Sequence, residues 1–474
     1  MPGQPVPISR NTGPSALEAR IDALIASQTA YFASGETLGR EFRTRQLEAL
    51  DHAIRKHEAK ILGALHDDLR KSKVEAYGTE VGFTLAELRH TRKHLGKWMR
   101  GSSWFSPLVV GPSRSRIHHQ PLGRNLIISP WNYPFQLALA PLVGALAAGN
   151  VAVIKPSELA PATSAVLAEI VGETFDEKLV AVIEGDIVTA QALLARPWNH
   201  LFFTGSTQVG RIVARAGAEH LSRVTLELGG KSPAIVMPSA DLDVAARRLA
   251  WGKFTNAGQT CIAPDYLLVH SSVHDTLVDR LRGAIRSFYG HDPRQSPDFG
   301  RIVNARHLQR LRKLVDADKV AVGGDVDESD RYLAPTILTD VTMDDAVMAD
   351  EIFGPILPVI RIDSLDDAMA IVAQRPNPLA AYLFTTEADE ERRFVDRVSF
   401  GGGCINNTMM HMGDPDLPFG GVGPSGLGAY HGYASFEVFS HKKSVLRTAT
   451  FLDPSVKYPP YNDTKLSIFR KLLG

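Results

Sequence analysis

The feature that most constrains the fold is an alternation of short apolar runs with longer runs of helical character between residues 125 and 218. The predicted strands are Asn125–Ser129, Val151–Lys155, Leu179–Ile183 and His200–Phe203. The predicted helices are Phe135–Ala148, Thr163–Glu173, Ala190–Ala195 and Thr207–Ala218. This alternation indicates an α/β fold, in which a parallel sheet carries helices on both faces and the crossovers are right-handed. Ligands of such sheets bind beyond the carboxyl ends of the strands.

The alternation restarts after Glu227 and predicts a second α/β unit. The predicted elements of this unit are the helices Ala240–Phe254, Val273–Tyr289 and Leu365–Gln374 and the strands Tyr266–His270 and Pro355–Ile362. Outside the two units, we predict a helical region Ala16–Met99, an extended edge segment Arg114–Pro121 and a short amphipathic helix Leu466–Leu473.

Composition excludes several classes of protein. The 474 residues are enough for more than one domain, and 52 basic residues balance 52 acidic ones, which gives no indication of nucleic acid as a partner. Two cysteines cannot form a disulfide framework, so a reduced, cytoplasmic compartment is expected. No signal peptide is predicted. The apolar stretch from Phe135 to Ile154 contains a proline and the turn pair Gly149-Asn150, which indicates a buried helix, turn and strand instead of a membrane span.

One of the two cysteines lies in a stretch of loop-forming residues, Asn256-Ala-Gly-Gln-Thr-Cys261. Three other stretches supply groups that can work with a thiol: the carboxylate of Glu227 after an apolar run, the amide of Asn132 in the aromatic run Trp131–Phe135, and a second acid, Glu351. Thiol, carboxylate and amide donor together are the parts that covalent catalysis at a carbonyl requires.

Each of these residues also has a structural interpretation. Cys261 as a lone thiol can be a small buried apolar residue. Glu227 can be a core glutamate in a salt bridge, and Asn132 can bond its own backbone in an Asx turn. Cys404 follows three glycines with no acid, base or cation written beside it, and we interpret it as a bystander. The 16 histidines show no metal-ligand spacing, so no metal site is predicted.

These motifs, in this order and from about residue 30 to 460, resemble the aldehyde dehydrogenase superfamily. Three stretches are similar to its class 3 branch, which includes fatty-aldehyde and coniferyl-aldehyde dehydrogenases; they begin at Trp131, Cys261 and Pro418, and the last ends Gly-Leu-Gly-Ala-Tyr430-His431. The resemblance implies a Rossmann-like cofactor domain, a second α/β catalytic domain and a small oligomerisation element. The expected division is a disordered N-terminus 1–15, a cofactor domain 16–225 with oligomerisation strands near 114–122 and a catalytic domain 226–405. The remainder, 406–474, is expected to contain a return segment, an oligomerisation strand and a C-terminal tail.

The expected cofactor is NAD, with NADP possible. The best phosphate-binding candidate in the sequence is Gly205-Ser206, because it follows a predicted strand and opens a helix that also contains Gly210. An ordinary capped helix explains the same residues equally well. The pattern Gly421-Val-Gly-Pro-Ser-Gly426 also has dinucleotide-type spacing, but it opens no helix, and we predict a loop there.

The resemblance assigns further residues to the cofactor. Lys155 and Glu158 are matched to the adenosine ribose, although by themselves they indicate only a charge pair after a strand. Glu351 is matched to the nicotinamide ribose, and Phe353 and Trp131 to the surroundings of the nicotinamide. Glu158 should repel a 2′-phosphate and so favours NAD, but the class 3 branch often accepts both cofactors.

The expected reaction is oxidation of an apolar aliphatic or aromatic aldehyde to the carboxylic acid through a thioester on Cys261. Asn132 and the Cys261 backbone N–H would stabilise the oxyanion, and Glu227 would activate the hydrolytic water. The predicted substrate pocket consists of Tyr133, Met409, Met410 and His411. For the methionines and for His411 and His431, a purely structural role is equally compatible with the sequence.

Three other classes are compatible with parts of this pattern. A CoA-acylating dehydrogenase would not need the carboxylate of Glu227, a thiol hydrolase would need a histidine in a recognisable motif with the thiol, and a non-catalytic scaffold would have lost at least one of the three catalytic groups. The expected partners are a small aldehyde and a second copy of the chain in a homodimer, without nucleic acid or a membrane span. The short C-terminal helix would cover apolar surface near the substrate entrance or the partner subunit.

Overall fold

The structure, a computed structural model, describes residues 15–473. The predicted disordered segment 1–15 lies outside the described residues except for Ser15. Ser15 caps the first helix: its hydroxyl accepts a hydrogen bond from the Glu18 backbone N–H at 3.3 Å, and its own N–H donates to the Glu18 carboxylate at 2.8 Å. This reciprocal arrangement is a capping box, which explains why the helix begins directly after Ser15.

The predicted helical region is confirmed. Its helices are α1 (Ala16–Ala33), α2 (Arg40–Lys56), α3 (Glu58–Leu69), α4 (Lys73–Ala76) and α5 (Gly82–Met99). A π-helical turn at Tyr77–Val81 joins α4 to α5. Apolar residues on one face of α2 and α5 are buried, with charged residues between them on the exposed faces, as the helical period predicts.

The predicted strand–helix alternation is confirmed element by element. After two strands, β1 (Ser102–Phe105) and β2 (Ser113–Pro121), it runs β3 (Arg124–Ile128), α6 (Gln136–Ala148), β4 (Val151–Lys155), α7 (Pro161–Thr174), β5 (Val180–Val182), α8 (Ile187–Leu194), β6 (His200–Thr204), α9 (Thr207–Glu219) and β7 (Arg223–Glu227). Strands β3 to β7 are parallel and adjacent in the order β7-β6-β3-β4-β5. Their carboxyl ends therefore meet at one edge of the sheet.

The second unit also forms the predicted α/β structure. Its first half contains β8 (Pro233–Val236), α10 (Leu242–Phe254), β9 (Tyr266–His270), α11 (His274–Tyr289), α12 (Ala305–Arg312), β10 (Val320–Val322), β11 (Val326–Asp327), β12 (Tyr332–Leu333) and β13 (Thr336–Leu338). Its second half contains α13 (Ala346–Ala349), β14 (Ile356–Ile362), α14 (Leu365–Ala373), β15 (Ala380–Phe384), α15 (Ala388–Arg397) and β16 (Gly402–Ile405). Seven of these strands form a sheet in the order β10-β13-β14-β9-β8-β15-β16, in which only β10 is antiparallel to its neighbour.

The C-terminal segment connects the units. Its elements are β17 (Gly426–Leu427), α16 (Gly432–Val438), β18 (Ser440–Thr448) and α17 (Asp463–Leu473). Strand β17 adds to the first sheet antiparallel to β7, with Gly426 opposite Glu227. The first sheet therefore contains residues that come after the second unit in the chain, as the predicted return of residues 406–440 requires.

Two expectations are corrected by the structure. The segment Arg114–Pro121 was predicted as an edge, but β2 is the middle strand of a three-stranded sheet, because β18 pairs along its whole length from the far end of the chain. The expected domain boundary at 225/226 falls inside β7, a strand of the first sheet. We instead place the division in residues 228–232, between the last parallel strand of the first sheet and the first strand of the second.

The stretch that imitates a membrane span is a buried helix, turn and strand, as predicted. Every residue of α6 is buried, and Gly149 ends the helix with φ of +89°, a conformation that favours glycine. Helices α2, α5 and α16 pack around α6, so an apolar surface on all sides is what its environment requires. None of the helices between residues 15 and 473 combines the length and apolar character needed to cross a bilayer.

Candidate active site

A cavity of about 560 Å³ at the carboxyl end of β7 has both Cys261 and Glu227 in its wall. The predicted pocket residues Tyr133, Met409 and Met410 also line it. The structure thus brings together side chains from four distant parts of the sequence. Other lining residues are Ser72, Val74, Glu75, Phe83, Gln136, Leu137, Thr204, Trp251, Thr255, Thr260, Phe288, Tyr289, Asp298, Met412, Phe419 and Tyr430.

The loop that carries Cys261 has an unusual backbone. Asn256, Ala257 and Gly258 follow one another with φ of +53°, +51° and +73°, the left-handed region that L-residues rarely occupy. A side chain on Gly258 would place its Cβ 2.3 Å from the carbonyl oxygen of Gly354, so only glycine fits there. The left-handed turn ends the helical direction of α10 and leads the chain into the cavity wall at Cys261.

Gln259 and Asn256 hold this loop through buried amide side chains. The Gln259 side chain donates to the carbonyls of Asn256 at 3.0 Å and Arg301 at 2.9 Å, and it accepts from the Val303 backbone N–H at 2.9 Å. The Asn256 side chain donates to the carbonyls of Asn132 at 2.8 Å and Gln259 at 3.2 Å. The sequence indicates both residues only as loop formers, because the partners that they bind are distant in the chain.

Asn132 lies against the thiol loop. Its side-chain amide donates to the Gln259 carbonyl at 3.0 Å, two residues before Cys261, and the residue is only 3% exposed. The Asx-turn alternative required a bond to nearby backbone, and the observed bond spans 127 residues. Asn132 itself does not line the cavity, but the next residue, Tyr133, does, and its hydroxyl is 2.6 Å from Thr260 Oγ1.

A buried ion pair fixes the Asn132 loop from below. The Lys71 ammonium donates to Glu80 at 2.5 Å and to the Asn132 carbonyl at 2.9 Å, and it lies 3.9 Å from the centroid of the Tyr133 ring. The other Glu80 oxygen accepts the backbone N–H groups of Phe135 and Gln136 at the start of α6. The sequence does not reveal the Lys71–Glu80 pair, because charged residues in a helical region ordinarily indicate a solvated face.

Glu227 is buried and unpaired. It is 2% exposed, and neither carboxylate oxygen has a hydrogen-bond partner among residues 15–473. Its backbone, by contrast, is held on both sides, by β6 and by β17. Burial raises the pKa of Glu227 well above its usual value. The salt-bridge alternative has no support, and the carboxyl is free to exchange a proton with a group in the cavity.

Burial raises the pKa of Cys261 to about 12, and the carboxylates of Glu351 and Glu227 raise it further in the same direction. Both cavity groups therefore favour their neutral forms in the protein without ligands. The thiol is half-buried and free. Ionisation of this thiol therefore requires that its proton move to another group or to solvent.

Several residues predicted to bind the cofactor stand at the carboxyl edge of the first sheet. Lys155 ends β4, and its ammonium donates to Glu158 at 2.8 Å. Gly205 follows β6, and Ser206 caps α9 by accepting from the Val209 backbone N–H at 3.4 Å. The capped helix that the alternative interpretation described is therefore present, and its N-terminus points to the same edge.

This edge suits a ligand that bears phosphates and hydroxyls. An added Cβ at Gly205 would come 2.5 Å from the Phe203 ring, and at Gly210 it would come 2.6 Å from Leu228, so a side chain at either position would have to displace that neighbour. The hydroxyls of Ser129 and Thr204 are buried there without a partner in the described part of the chain. Free hydroxyls, a helix N-terminus and a lysine are the donors that a dinucleotide uses.

Trp131, Phe353 and Glu351 are brought to the same region by the two sheets. The rings of Trp131 and Phe353 meet edge to face with centroids 5.3 Å apart. The carboxylate of Glu351 lies over Gly229, where an added Cβ would come 2.2 Å from it. Burial raises the pKa of Glu351 to about 8, with Asp265 acting in the same direction.

His411 and Cys404 differ from expectation. His411 was placed in the substrate pocket, but it does not line the cavity; its ring stacks on Phe419, which does, and its Nδ1 lies 3.6 Å from the Cys404 sulfur. Cys404 therefore has a histidine neighbour that the sequence did not reveal, because the main chain turns back between them. Burial lowers the pKa of His411 to about 4 and raises that of Cys404, so the pair stays neutral.

The glycine-rich pattern with dinucleotide-type spacing is a loop, as predicted. Residues Gly421–Gly426 open no helix, and the Leu228 backbone N–H donates to the Ser425 carbonyl at 3.0 Å. In the described chain, one group of side chains has ligand-like spacing for a metal: His57, Glu169 and Glu173. Lys56 and Lys60 form ion pairs with these carboxylates, which already compensates their charge.

Comparison with known proteins identifies the class. A sequence model of the aldehyde dehydrogenase family matches residues 11–445. The 4,4'-diaponeurosporen-aldehyde dehydrogenase of Staphylococcus aureus (strain NCTC 8325 / PS 47) is 50% identical over 434 residues, covering 91% of this chain and 95% of that protein. A Rattus norvegicus protein named aldehyde dehydrogenase, dimeric NADP-preferring, is 45% identical over 431 residues, covering 90% and 95%. The substrate-bound structure of Staphylococcus aureus AldH superposes with a TM-score of 0.94 at 48% identity, covering 96% and 99%.

Fold and comparisons together define an α/β oxidoreductase that uses NAD(P). The chain belongs to the aldehyde dehydrogenase family, and it is an NAD(P)-dependent aldehyde dehydrogenase. Its similarity to family 3 members confirms the class 3 branch that the three motifs predicted. The predicted α/β fold with a Rossmann-like domain and a catalytic domain is likewise confirmed.

The buried Lys71–Glu80 pair should be essential for the stability of this site. Lys71→Met leaves the Glu80 charge buried without its cation, and we expect the free energy of unfolding to fall by about 3 kcal/mol. The measurement is chemical denaturation. Lys60→Met, which breaks the more exposed pair with Glu169, is the matched control and should change the same free energy by less than about 1 kcal/mol. Equal effects of the two substitutions would contradict this assignment.

Proposed function

We propose that this aldehyde dehydrogenase oxidises apolar aliphatic or aromatic aldehydes to carboxylic acids through a thioester on Cys261, which water hydrolyses. The observation that carries the proposal is the presence of a free thiol and an unpaired buried carboxylate in the wall of one cavity. A nucleophile and a base within one cavity are the minimum for acylation followed by hydrolysis.

The first step is attack of the Cys261 sulfur on the aldehyde carbon, after the thiol proton has passed to solvent. Negative charge develops on the aldehyde oxygen, and the Asn132 amide and the Cys261 backbone N–H are the donors assigned to it. The Asn132 amide is held by Gln259, in the same loop as the thiol. Movement of one donor relative to the nucleophile is therefore restricted by a direct hydrogen bond.

The chemistry that NAD(P) supplies when bound is acceptance of a hydride from the tetrahedral carbon. The residues we assign to hold it are Lys155, Glu158, Gly205, Ser206, Gly210, Glu351, Phe353 and Trp131. After hydride transfer, Cys261 carries the acyl group as a thioester. Glu227 then takes a proton from a water molecule, and the resulting hydroxide adds to the thioester carbon. The C–S bond breaks, the acid is released, and the Cys261 sulfur takes the proton back from Glu227.

A CoA-acylating enzyme is the alternative that shares the thiol and the cofactor. It would transfer the acyl group to CoA and would not require a base for water. The unpaired state of Glu227 favours water, because burial of a carboxylate without a partner destabilises the protein and such groups are concentrated at functional sites. Acid formation at the same rate with and without CoA would support hydrolysis.

The substrate class is inferred from the cavity wall. Aromatic and thioether side chains predominate there: Phe83, Tyr133, Trp251, Phe288, Met409, Met410, Met412, Phe419 and Tyr430. The wall, as far as residues 15–473 form it, contains no arginine or lysine to bind a substrate carboxylate, and it contains the acids Glu75 and Asp298. The Staphylococcus aureus relative is named for a diaponeurosporen aldehyde, and its 50% identity supports an apolar substrate here.

A homodimer is the assembly we propose. The rat relative is named dimeric, and this chain exposes apolar side chains on β1, β18 and the C-terminal segment, including Phe105, Leu446 and Phe451. Exposed apolar patches of this kind mark interaction surfaces. Sedimentation velocity of the chain with and without residues 462–474 measures the assembly and the contribution of α17.

The free thiols fit a reducing compartment, and we propose the cytoplasm.

Glu227→Gln should slow hydrolysis of the thioester more than its formation. The amide cannot accept the proton from water, so a burst of reduced cofactor should precede slow turnover, and an acyl adduct on Cys261 should accumulate in mass spectra. Because burial raises the pKa of Glu227, the carboxylate fraction in the unaltered enzyme, and with it the deacylation rate, should increase with pH. Cys261→Ser is the control and should show neither burst nor adduct. Slow turnover of Glu227→Gln without an adduct would give Glu227 another role.

The apolar cavity predicts how rate depends on substrate. Each buried methylene should raise kcat/KM by up to about fourfold, since about 0.8 kcal/mol accompanies its burial. The measurement is a series from propanal to octanal, with benzaldehyde, cinnamaldehyde and succinic semialdehyde. The last should be the poorest substrate, because the cavity wall offers its carboxylate three acidic residues and no cation. A flat series, or a preference for succinic semialdehyde, would refute the apolar substrate class.

Cofactor preference should depend on Glu158. Its carboxylate repels a 2′-phosphate, so Glu158→Gln should raise the ratio of kcat/KM for NADP to that for NAD, while the amide can still accept from Lys155. The control is Glu219→Gln at the C-terminal end of α9, far from the helix N-terminus at Ser206; this variant should leave the ratio unchanged. The same ratio in Glu158→Gln and in the unaltered enzyme would place the ribose contact elsewhere.

A further inference from the structure

Glu75 connects the N-terminal helices to the thiol loop. It lies on α4 and forms part of the cavity wall. One carboxylate oxygen accepts the backbone N–H of Asn256 at 2.9 Å, across 181 residues of sequence. Asn256 is the first of the three left-handed residues that turn the chain toward Cys261. The carboxylate therefore holds the loop at the point where its backbone is least favourable.

The backbone of the thiol loop is strained at Asn256 and Ala257. A non-glycine residue in the left-handed region is strained and persists only when surrounding contacts hold it. Asn256 and Ala257 both occupy that region, and both are buried. A hydrogen bond to an ionised acceptor is about twice as strong as one between neutral groups. Glu75 supplies a carboxyl oxygen to the buried N–H of the first strained residue, and it is such an acceptor in its ionised form.

The strained residue is in turn bonded to the proposed oxyanion donor. The Asn256 side chain donates to the Asn132 carbonyl at 2.8 Å, while the Asn132 side chain donates to the Gln259 carbonyl at 3.0 Å. Displacement of Asn256 would therefore move Asn132 relative to the thiol loop. The path from Glu75 to Asn132 consists of two direct hydrogen bonds.

We propose that Glu75 is a positioning residue for the dehydrogenase reaction: its carboxylate holds the left-handed turn at Asn256 and thereby keeps the Asn132 amide in place relative to Cys261. The proposal rests on the proposed function, because it assigns Glu75 an effect only through Asn132. Glu75 takes no proton from the substrate in this scheme.

The surroundings of Glu75 are consistent with this role. Burial raises its pKa to about 7, and the Lys71 ammonium and the Asn256 N–H oppose that rise. A carboxylate in an apolar cavity wall is destabilised by lost hydration, and its bond to the Asn256 N–H compensates part of that cost. Thr79 and Ser72 hold the short helix around it through bonds to the Glu75 backbone.

The test is a double-mutant cycle with Asn132. Glu75→Ala should lower kcat by about tenfold with little change in KM, because substrate binding does not require the oxyanion donor. In an Asn132→Ala background, the same substitution should lower kcat by less than about threefold, since the group through which it acts is absent. Tenfold losses in both backgrounds would overturn the proposal, because they would show that Glu75 acts independently of Asn132.

A conservative variant and a matched control separate positioning from general stability. Glu75→Gln keeps an oxygen that can accept the Asn256 N–H, so it should restore kcat to within about threefold of the unaltered enzyme. Asp68→Ala removes another buried carboxylate that accepts backbone N–H groups, those of Ala162 and Thr163, away from the cavity. It should lower Tm at least as much as Glu75→Ala and leave kcat unchanged.

The remaining outcomes show which of the proposed roles is wrong. If Glu75→Gln is as slow as Glu75→Ala, or if Asp68→Ala slows turnover as much as Glu75→Ala does, the positioning role is wrong. If Cys261→Ser keeps near-normal turnover, the proposed mechanism itself fails, whatever the Glu75 variants show. If Asn132→Ala alone costs only a few fold, where about a hundredfold is expected, Asn132 is not the oxyanion donor and the proposal falls with that assignment.

Discussion

The buried contact between Lys71 and Glu80 is the interaction on which the arrangement of the active site depends. Glu80 binds the first N–H groups of α6, and Lys71 binds the Asn132 carbonyl, so one ion pair holds both the start of a buried helix and the loop before it. A buried charge pair is stable only when hydrogen bonds satisfy the remaining donors and acceptors of its two groups. Here those bonds come from the backbone of the site itself.

The N-terminal helices therefore support the active site as well as the first sheet. They place Lys71 and Glu80 under the Asn132 loop and Glu75 beside the thiol loop. The thiol loop, which comes from the second unit, bonds in turn to Asn132 through Asn256 and Gln259. Hydrogen bonds between these segments explain how groups from separate sheets keep a common geometry around one cavity.

Withdrawal from water governs the electrostatics of the cavity. Burial raises the pKa of Glu227, Cys261 and Glu351, and for each group it is the largest cause. Groups that resist ionisation in the protein without ligands can exchange a proton when substrate and cofactor change the surroundings. Glu227 differs from Glu80 in one respect, which is that no side chain or backbone group within the described residues bonds its carboxylate. The same residue type thus has a structural role at Glu80 and, in the function we propose, a chemical role at Glu227.

The sequence by itself determined the alternation of elements, the parallel sheets, the family, and the motifs that contain Cys261, Glu227 and Asn132, because these depend on local periodicity and on contiguous residues. It placed α6 in the core although its composition imitates a membrane span. Tertiary structure decided that β2 is a central strand, that His411 lies beside Cys404 outside the cavity wall, and that Lys71, Glu75 and Glu80 turn inward. The reason is physical: the charge and spacing of these residues are those of an exposed helical face, and only partners far away in the chain satisfy them inside the protein.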